Sequence, residues 1–229
     1  MFTLYSADFT GNPGNCSYPH KTVVMNTDNL REAVCHDYVC AEYKNHYRNG
    51  ENFISADCLP VDCDNDHSED PKDWVTPADV LEAFPGVSIA IHYSRFNNRE
   101  KNGKPARPKF HVLFPIDRMT DATLYSDMKK LVNSIFPYFD TKALDAARFF
   151  FGTREPKVEL YPGRMNLTEF LNDDEFDAGL PGGHKKDAVI PEGSRNAVMS
   201  RFAGIVIKKY GDSEKAYQSF LEKAATCVP

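Results

Sequence analysis

Two apolar runs, VSIAIHY (87–93) and FHVLFPI (110–116), flank a basic segment, SRFNNREKNGKPARPK, that is rich in turn-forming residues. Both runs read as strands, and the Gly, Pro and Asn between them predict a hairpin with a long loop. Helical patterns stand on either side. TPADVLEAF begins with Thr76 as cap and Pro77 at the first helical position, and Pro85 closes it. TDATLYSDMKKLVNSIF (120–136) is amphipathic, with Thr120 or Asp121 as cap. Residues 28–44 carry Leu30, Ala33, Val34, Tyr38 and Ala41 at helical spacing. FISADCLPVDCD reads as a strand broken near Pro60, and ARFFFGT and KVELYPG add short strands. Helices alternating with hairpins predict an α+β chain with a mixed or antiparallel sheet.

From about 163 to 191 the pattern fades into Gly, Pro and acidic residues, which reads as a linker. Two helices are expected beyond it, at 194–210 and 213–225, giving three segments: 1–162, 163–191 and 192–229. With 41% hydrophobic and 26% charged residues, the composition is that of a soluble globular protein. No apolar run is long enough to span a membrane, and the polar N-terminus lacks a secretory core. Six cysteines are sparse for this length. The pairs Cys35/Cys40 and Cys58/Cys63 share a spacing that raises the question of zinc. An odd separation places Cys58 and Cys63 on opposite faces of one strand, so buried free thiols and a reducing cytoplasm are expected.

The net charge of −6 argues against a protein that coats nucleic acid, but the charge is uneven. Arg95, Arg99, Lys101, Lys104, Arg107 and Lys109 crowd the loop between the two strands. Asp62, Asp64, Asp66, Glu69, Asp70 and Asp73 crowd residues 62–73. One acidic and one basic segment in a single domain are what a metal-and-phosphate site needs. Asp62 and Asp64, one residue apart on a strand, point to the same face and repel unless a cation lies between them. Their hard oxygens suit Mg²⁺ or Mn²⁺. A solvated surface turn is the ordinary alternative for such a D-x-D. Lys109 and His111 share one face of the strand leaving the basic loop, and Asp145 and Arg148 precede another strand.

Taken in order, DCDND, SR…RPKFHVLFPI and LDAARFFFGT resemble the three motifs of the archaeo-eukaryotic primase superfamily, most closely the primase-polymerases of plasmids, phages and integrated elements. The tail EGSRNAVMSRFAGIVIKKYG resembles the opening of the primase C-terminal helical module. Lys-Phe-His stands where many members have Ser-x-His. The resemblance implies an RNA-recognition-like catalytic core preceded by an α/β module, with the active site clasped between them. It implies transfer of a nucleotidyl group from a nucleoside triphosphate to a 3′-hydroxyl, or to a second nucleotide in priming. Asp62, Asp64 and Asp145 would hold two Mg²⁺ or Mn²⁺ ions. Lys109 and His111 would bind the triphosphate, and Arg148, Ser94 and Arg95 would stabilise departing pyrophosphate. Arg99, Lys101 and Lys104 are expected on a single-stranded DNA template, and such architectures commonly add a helicase domain.

Each residue has a plainer role available. His111 fits a core histidine, Arg148 a structural pair with Asp145, Asp145 a turn cap, and His92 a structural position. Asp66 and His67 read as shapers of the acidic turn. Two other functions fit the class: a rolling-circle initiator nuclease and a non-catalytic origin-binding module. The nuclease usually needs two histidines flanking an apolar residue, and KFHV supplies one. The origin-binding module has no use for three acids and a phosphate-binding pair.

Overall fold

The computed structural model describes residues 1–101, 103–172, 199, 202–203, 214–225 and 227. In chain order the elements begin β1 (Phe2–Ser6), β2 (His20–Val24), α1 (Thr27–Val34), β3 (Tyr38–Val39), β4 (Glu42–Tyr43), β5 (Phe53–Cys63), α2 (Pro77–Ala83) and β6 (Ile89–Tyr93). They continue with β7 (Arg99–Lys101), β8 (Lys104–Arg107), β9 (Phe110–Met119), α3 (Ala122–Ile135), β10 (Phe149–Phe150), β11 (Val158–Tyr161), α4 (Leu167–Asn172) and α5 (Glu214–Ala224). The chain is α+β.

The larger sheet runs β11-β6-β9-β5-β4, every neighbouring pair antiparallel. Because β9 lies between β5 and β6, those two strands are parallel to each other. β5-α2-β6 is thus a split crossover within a β-α-β-β-α-β succession that ends at β11. The smaller sheet runs β10-β3-β1-β2. Its first three strands lie within the N-terminal 40 residues, and β10 arrives from beyond α3.

Side-chain alternation gives the larger sheet two buried faces. One face sends Leu59, Val61, Cys63, Ile89, Ile91, Val112 and Phe114 into a core with Val80 and Phe84 of the α2 region, Tyr125 and Val132 of α3, and Phe170 of α4. The other face sends Cys58, Ala90 and Leu113 against Phe2, Leu4, Leu30, Val34, Tyr38 and Phe150 of the N-terminal module. Cys58 and Cys63 therefore lie in different cores, and all six cysteines are free thiols. By the same alternation Asp62, His111 and His92 face the N-terminal module.

Capping follows the sequence closely at two helices. The Thr76 N–H donates to Asp79 Oδ2 at 2.7 Å, and Asp121 Oδ1 accepts from Thr123 and Leu124. Three expectations need correction. The helix expected over 28–44 stops at Val34, because Tyr38 and Val39 pair with β1 and β10. The turn between them is organised by the fully buried Asp37, whose carboxylate accepts the N–H groups of Gly11, Asn12 and Gly152. β5 is continuous through Pro60; β4 pairs only with its start, so the proline's nitrogen faces no strand. Residues 163–172 are not linker: α4 buries Leu167 and Phe170 in the first core. The expected helix at 194–210 lies outside the described residues apart from Met199, Phe202 and Ala203. The helix expected at 213–225 is α5, and no described helix is long and apolar enough to cross a membrane.

Candidate functional site

β5 and β9 pair in a register that joins Val61 to Val112, Asp62 to His111 and Cys63 to Phe110. Beyond the strand ends, in the turn after β5, Asp64 still meets Lys109 and Asp66 meets Arg107. All three acid–base rungs are made. His111 Nδ1 lies 3.0 Å from Asp62 Oδ1, Lys109 Nζ 3.1 Å from Asp64 Oδ1, and Arg107 3.6 Å from Asp66 Oδ1. Lys109 and Lys104 also reach Asp66, at 3.6 and 3.3 Å.

Arg107, only 1% exposed, locks the acidic turn by donating to the carbonyl oxygens of Asn65 at 2.6 Å and Ser68 at 3.3 Å. Asn65, at φ 52°, bonds Val75 and Pro108, so the turn is tied on both sides. Asp66 and His67 shape this turn as expected: Asp66 takes the cations, and His67 bonds the Asp73 carbonyl.

The third acid at this site is Asp140. Asp62, Asp64 and Asp140 each present an oxygen within 4.8 Å of the others, and this is the metal-competent cluster among the described residues. Main chain sets the approach: the Asp140 N–H donates to the Asp62 carbonyl at 2.7 Å. Asp145 is not in the cluster. Its exposed carboxylate accepts the Ala147 N–H at 2.8 Å, the turn-capping role, and its carbonyl accepts Lys129 Nζ at 2.8 Å. Three hard carboxylate donors without sulfur fit Mg²⁺ or Mn²⁺.

Burial alone would raise the Asp62 carboxyl. His111, Arg148 and Lys109 outweigh it and hold the group below the ordinary carboxylate range. Arg148 faces Asp62 at 4.0 Å, and its Nε is buried without a hydrogen-bond partner. Such a donor is costly unless an acceptor meets it.

His92 is the next residue along the row, the register partner of His111 with the rings 5.4 Å apart. It is fully buried, and its nitrogens bond the Tyr38 hydroxyl at 3.0 Å and Thr153 Oγ1 at 3.3 Å. Burial, aided by His111, pushes its pKa well below the usual imidazole value, so the ring is neutral.

Thr153 opens onto a groove of about 570 Å³ lined by Tyr93, Ser94, Arg95, Arg99, Arg154 and Lys157, among others. Arg95 is held 4.0 Å over the Phe151 ring and Lys157 4.1 Å over Tyr93. Ser94 caps the turn that follows β6, its Oγ accepting the Phe96 N–H. The sequence-predicted residues thus divide in two. Asp62, Asp64, Lys109, His111 and Arg148 meet at the acids. Ser94, Arg95 and Arg99 line the neighbouring groove, and Lys104 is engaged by Asp66 on the acidic turn. For Lys101 only the backbone pairing with Lys104 is described.

Sequence reasoning missed Asp140, Arg154 and Lys157, and counted Arg107 among the loop cations without giving it a place at the acids. Strand parity would have found Arg107, two residues before Lys109 and four before His111. Asp140 carried no such signal, because it caps a short turn after α3 and reaches the site through a tertiary backbone bond.

No protein-family model matches the chain, and no curated protein does. Among solved structures, the chain is similar to the AEP domain of the cyanophage S-2L primase-polymerase. That similarity is 15% identity with a TM-score of 0.39, covering 70% of this chain and 84% of that one.

Proposed function

We propose that the cleft transfers nucleotidyl groups from nucleoside triphosphates under the direction of a single-stranded DNA template, as a primase, a DNA polymerase or both, in the replication of a mobile element. The observation that carries this reading is the row of acid–base rungs Asp62–His111 and Asp64–Lys109, which meets Asp140 and Arg148, whose buried Nε has no hydrogen-bond partner. The order of sequence motifs supports it independently. The catalytic unit runs through α4.

Asp62, Asp64 and Asp140 would hold Mg²⁺ or Mn²⁺, which when bound would supply activation of a hydroxyl and neutralisation of phosphate charge. The chain's own cations do the rest. Lys109 and His111 bind the triphosphate beside the acids. Arg148 offers its free N–H to a phosphate oxygen where charge accumulates. Ser94, Arg95 and Lys157 line a groove within the size range of small-ligand sites, where the nucleotide lies. His92, beside His111, has both ring nitrogens engaged, so the two rings do not present a pair of free imidazoles.

The test is incubation with single-stranded templates, labelled nucleotides and Mn²⁺, with and without a primer, scoring nicking in parallel. Incorporation abolished by Asp62→Asn, with an unchanged circular dichroism spectrum, is the expected result. Nicking without incorporation would overturn the reading.

A further inference from the structure

A second groove, of about 520 Å³, adjoins the first and shares Thr10 and Arg154 with it. Phe9 stands on its rim, 56% exposed. A lone exposed phenylalanine is ordinary on a protein surface. This one sits on a loop that the fold fixes firmly. The Phe9 carbonyl accepts the Asp37 N–H at 2.9 Å, and the buried Asp37 carboxylate accepts the N–H groups of Gly11 and Asn12, at 2.8 and 2.9 Å. The same carboxylate accepts the Gly152 N–H at 3.0 Å, tying the loop to the segment that carries Arg154. Gly152 packs so tightly on the His36 backbone that an added Cβ would meet its carbonyl oxygen at 2.1 Å. Asp37 thus fixes the backbone on which Phe9 stands and ties it to the segment of Arg154, two residues lining the same groove.

The geometry points to a subsite for single-stranded nucleic acid outside the nucleotide groove, where an unpaired base stacks on Phe9 and its phosphate lies against Arg154. The inference rests on the nucleotidyl-transfer reading for its choice of strand. The first groove alone has the volume of a whole small-ligand site, so the second is surplus to one nucleotide. A flat aromatic beside a cation in a continuous trough is the usual means of holding a strand without reading its sequence.

The experiment measures binding of the full chain to a fluorescein-labelled mixed-sequence single-stranded oligonucleotide by anisotropy, together with KM for nucleotide in primer extension. Phe9→Ala is expected to weaken strand binding about five- to a hundredfold, the range for one lost stacking contact. Phe9→Trp should restore it, and KM for nucleotide should stay within about twofold of wild type in both. Arg154→Gln should flatten the salt dependence of strand binding by about 0.7 in the log–log slope, one phosphate's share. Phe9 contributes little to the core, and matching thermal melts confirm that its variants fold. Equal strand affinity in wild type and Phe9→Ala overturns the subsite. So does a raised nucleotide KM with unchanged strand affinity, which would put the incoming base in this groove. Parallel incorporation assays separate the two readings: if wild type incorporates no nucleotide, the nucleotidyl-transfer assignment falls and the Phe9 result stands on its own, whereas undiminished incorporation by Asp62→Asn removes only the acid cluster from the reaction.

Discussion

Lys109 Nζ lies 3.1 Å from Asp64 Oδ1, one rung beyond the last paired residues of β5 and β9. The ammonium already neutralises part of the acid cluster, so a divalent ion must share Asp64 with it. Lys109→Met is therefore expected to tighten Mn²⁺ binding by about tenfold or more, since opposite charges this close are worth a few kcal/mol at an effective dielectric near 20. The same variant loses a phosphate contact, so nucleotide KM rises. Thermal shift against Mn²⁺ concentration reads the first effect and steady-state kinetics the second. Weaker metal binding in the variant would mean that Lys109 supports the site without competing for it.

Asp140 and Asp145 make a sharp comparison. Asp140→Ala should lose nucleotide incorporation by about a hundredfold or more, at the level of a removed transition-state contact. Asp145→Ala removes only the exposed bond to the Ala147 N–H, so it should cost about 1 kcal/mol of stability and little activity. Incorporation assays with both variants at saturating Mn²⁺ decide the matter. A dead Asp145→Ala beside an active Asp140→Ala would restore the assignment read from sequence.

Lys129 on α3 is 1% exposed, and burial lowers its pKa from 10.5 to about 8. Between those two values the unfolded chain binds the proton and the folded chain does not, so this group's contribution to stability rises with pH through the window. Below about pH 8 the full cost of burying the ammonium is present. That cost is about 3 kcal/mol by the size of the shift, less about 1 kcal/mol for the bond to the Asp145 carbonyl. Lys129→Met should accordingly be about 1–3 kcal/mol more stable than wild type at pH 7, with the gap closing by pH 10. Urea unfolding at both pH values checks this. A destabilised methionine variant at pH 7 would show that the carbonyl bond outweighs desolvation.

In the basic hairpin, Lys104 is held by Asp66, whereas Arg99 is exposed beside the groove. Neutralising Arg99, Lys101 and Lys104 together should reduce the salt slope of single-strand binding by about 0.7 to 2. Most of the change should already appear in Arg99→Gln. Titrations at several salt concentrations measure it, and an unchanged slope would reduce the hairpin to a solvated loop.

What the sequence made legible follows from period and parity. The turn-rich segment between VSIAIHY and FHVLFPI predicted a hairpin, and β6 does pair with β9; Asp62, Asp64, Lys109 and His111 were grouped because strands repeat every two residues. The stretch 28–44 misled because Tyr38 and Ala41 continue a helical spacing by chance. Only the backbone bonds collected by Asp37, from residues distant in sequence, show that the chain must turn there. Asp140 was hidden for the same reason, since its position depends on one hydrogen bond to Asp62 and on no local pattern. The short end of α4 was lost among linker-like residues, although Leu167 and Phe170 have nowhere to go but the core.

The strand Phe149–Phe150 closes the outer edge of Tyr38–Val39 and brings its own ring against His111. Until that distant stretch has left the ribosome, the small N-terminal sheet ends in a bare strand and the cleft has only one wall. Non-local pairing of this kind is slow, and an uncovered edge invites other chains to supply the missing strand. A nascent or truncated polypeptide that stops before Phe149 is therefore exposed to self-association at Tyr38–Val39, and two complementary fragments split between β4 and β10 would have to find each other before either held its shape.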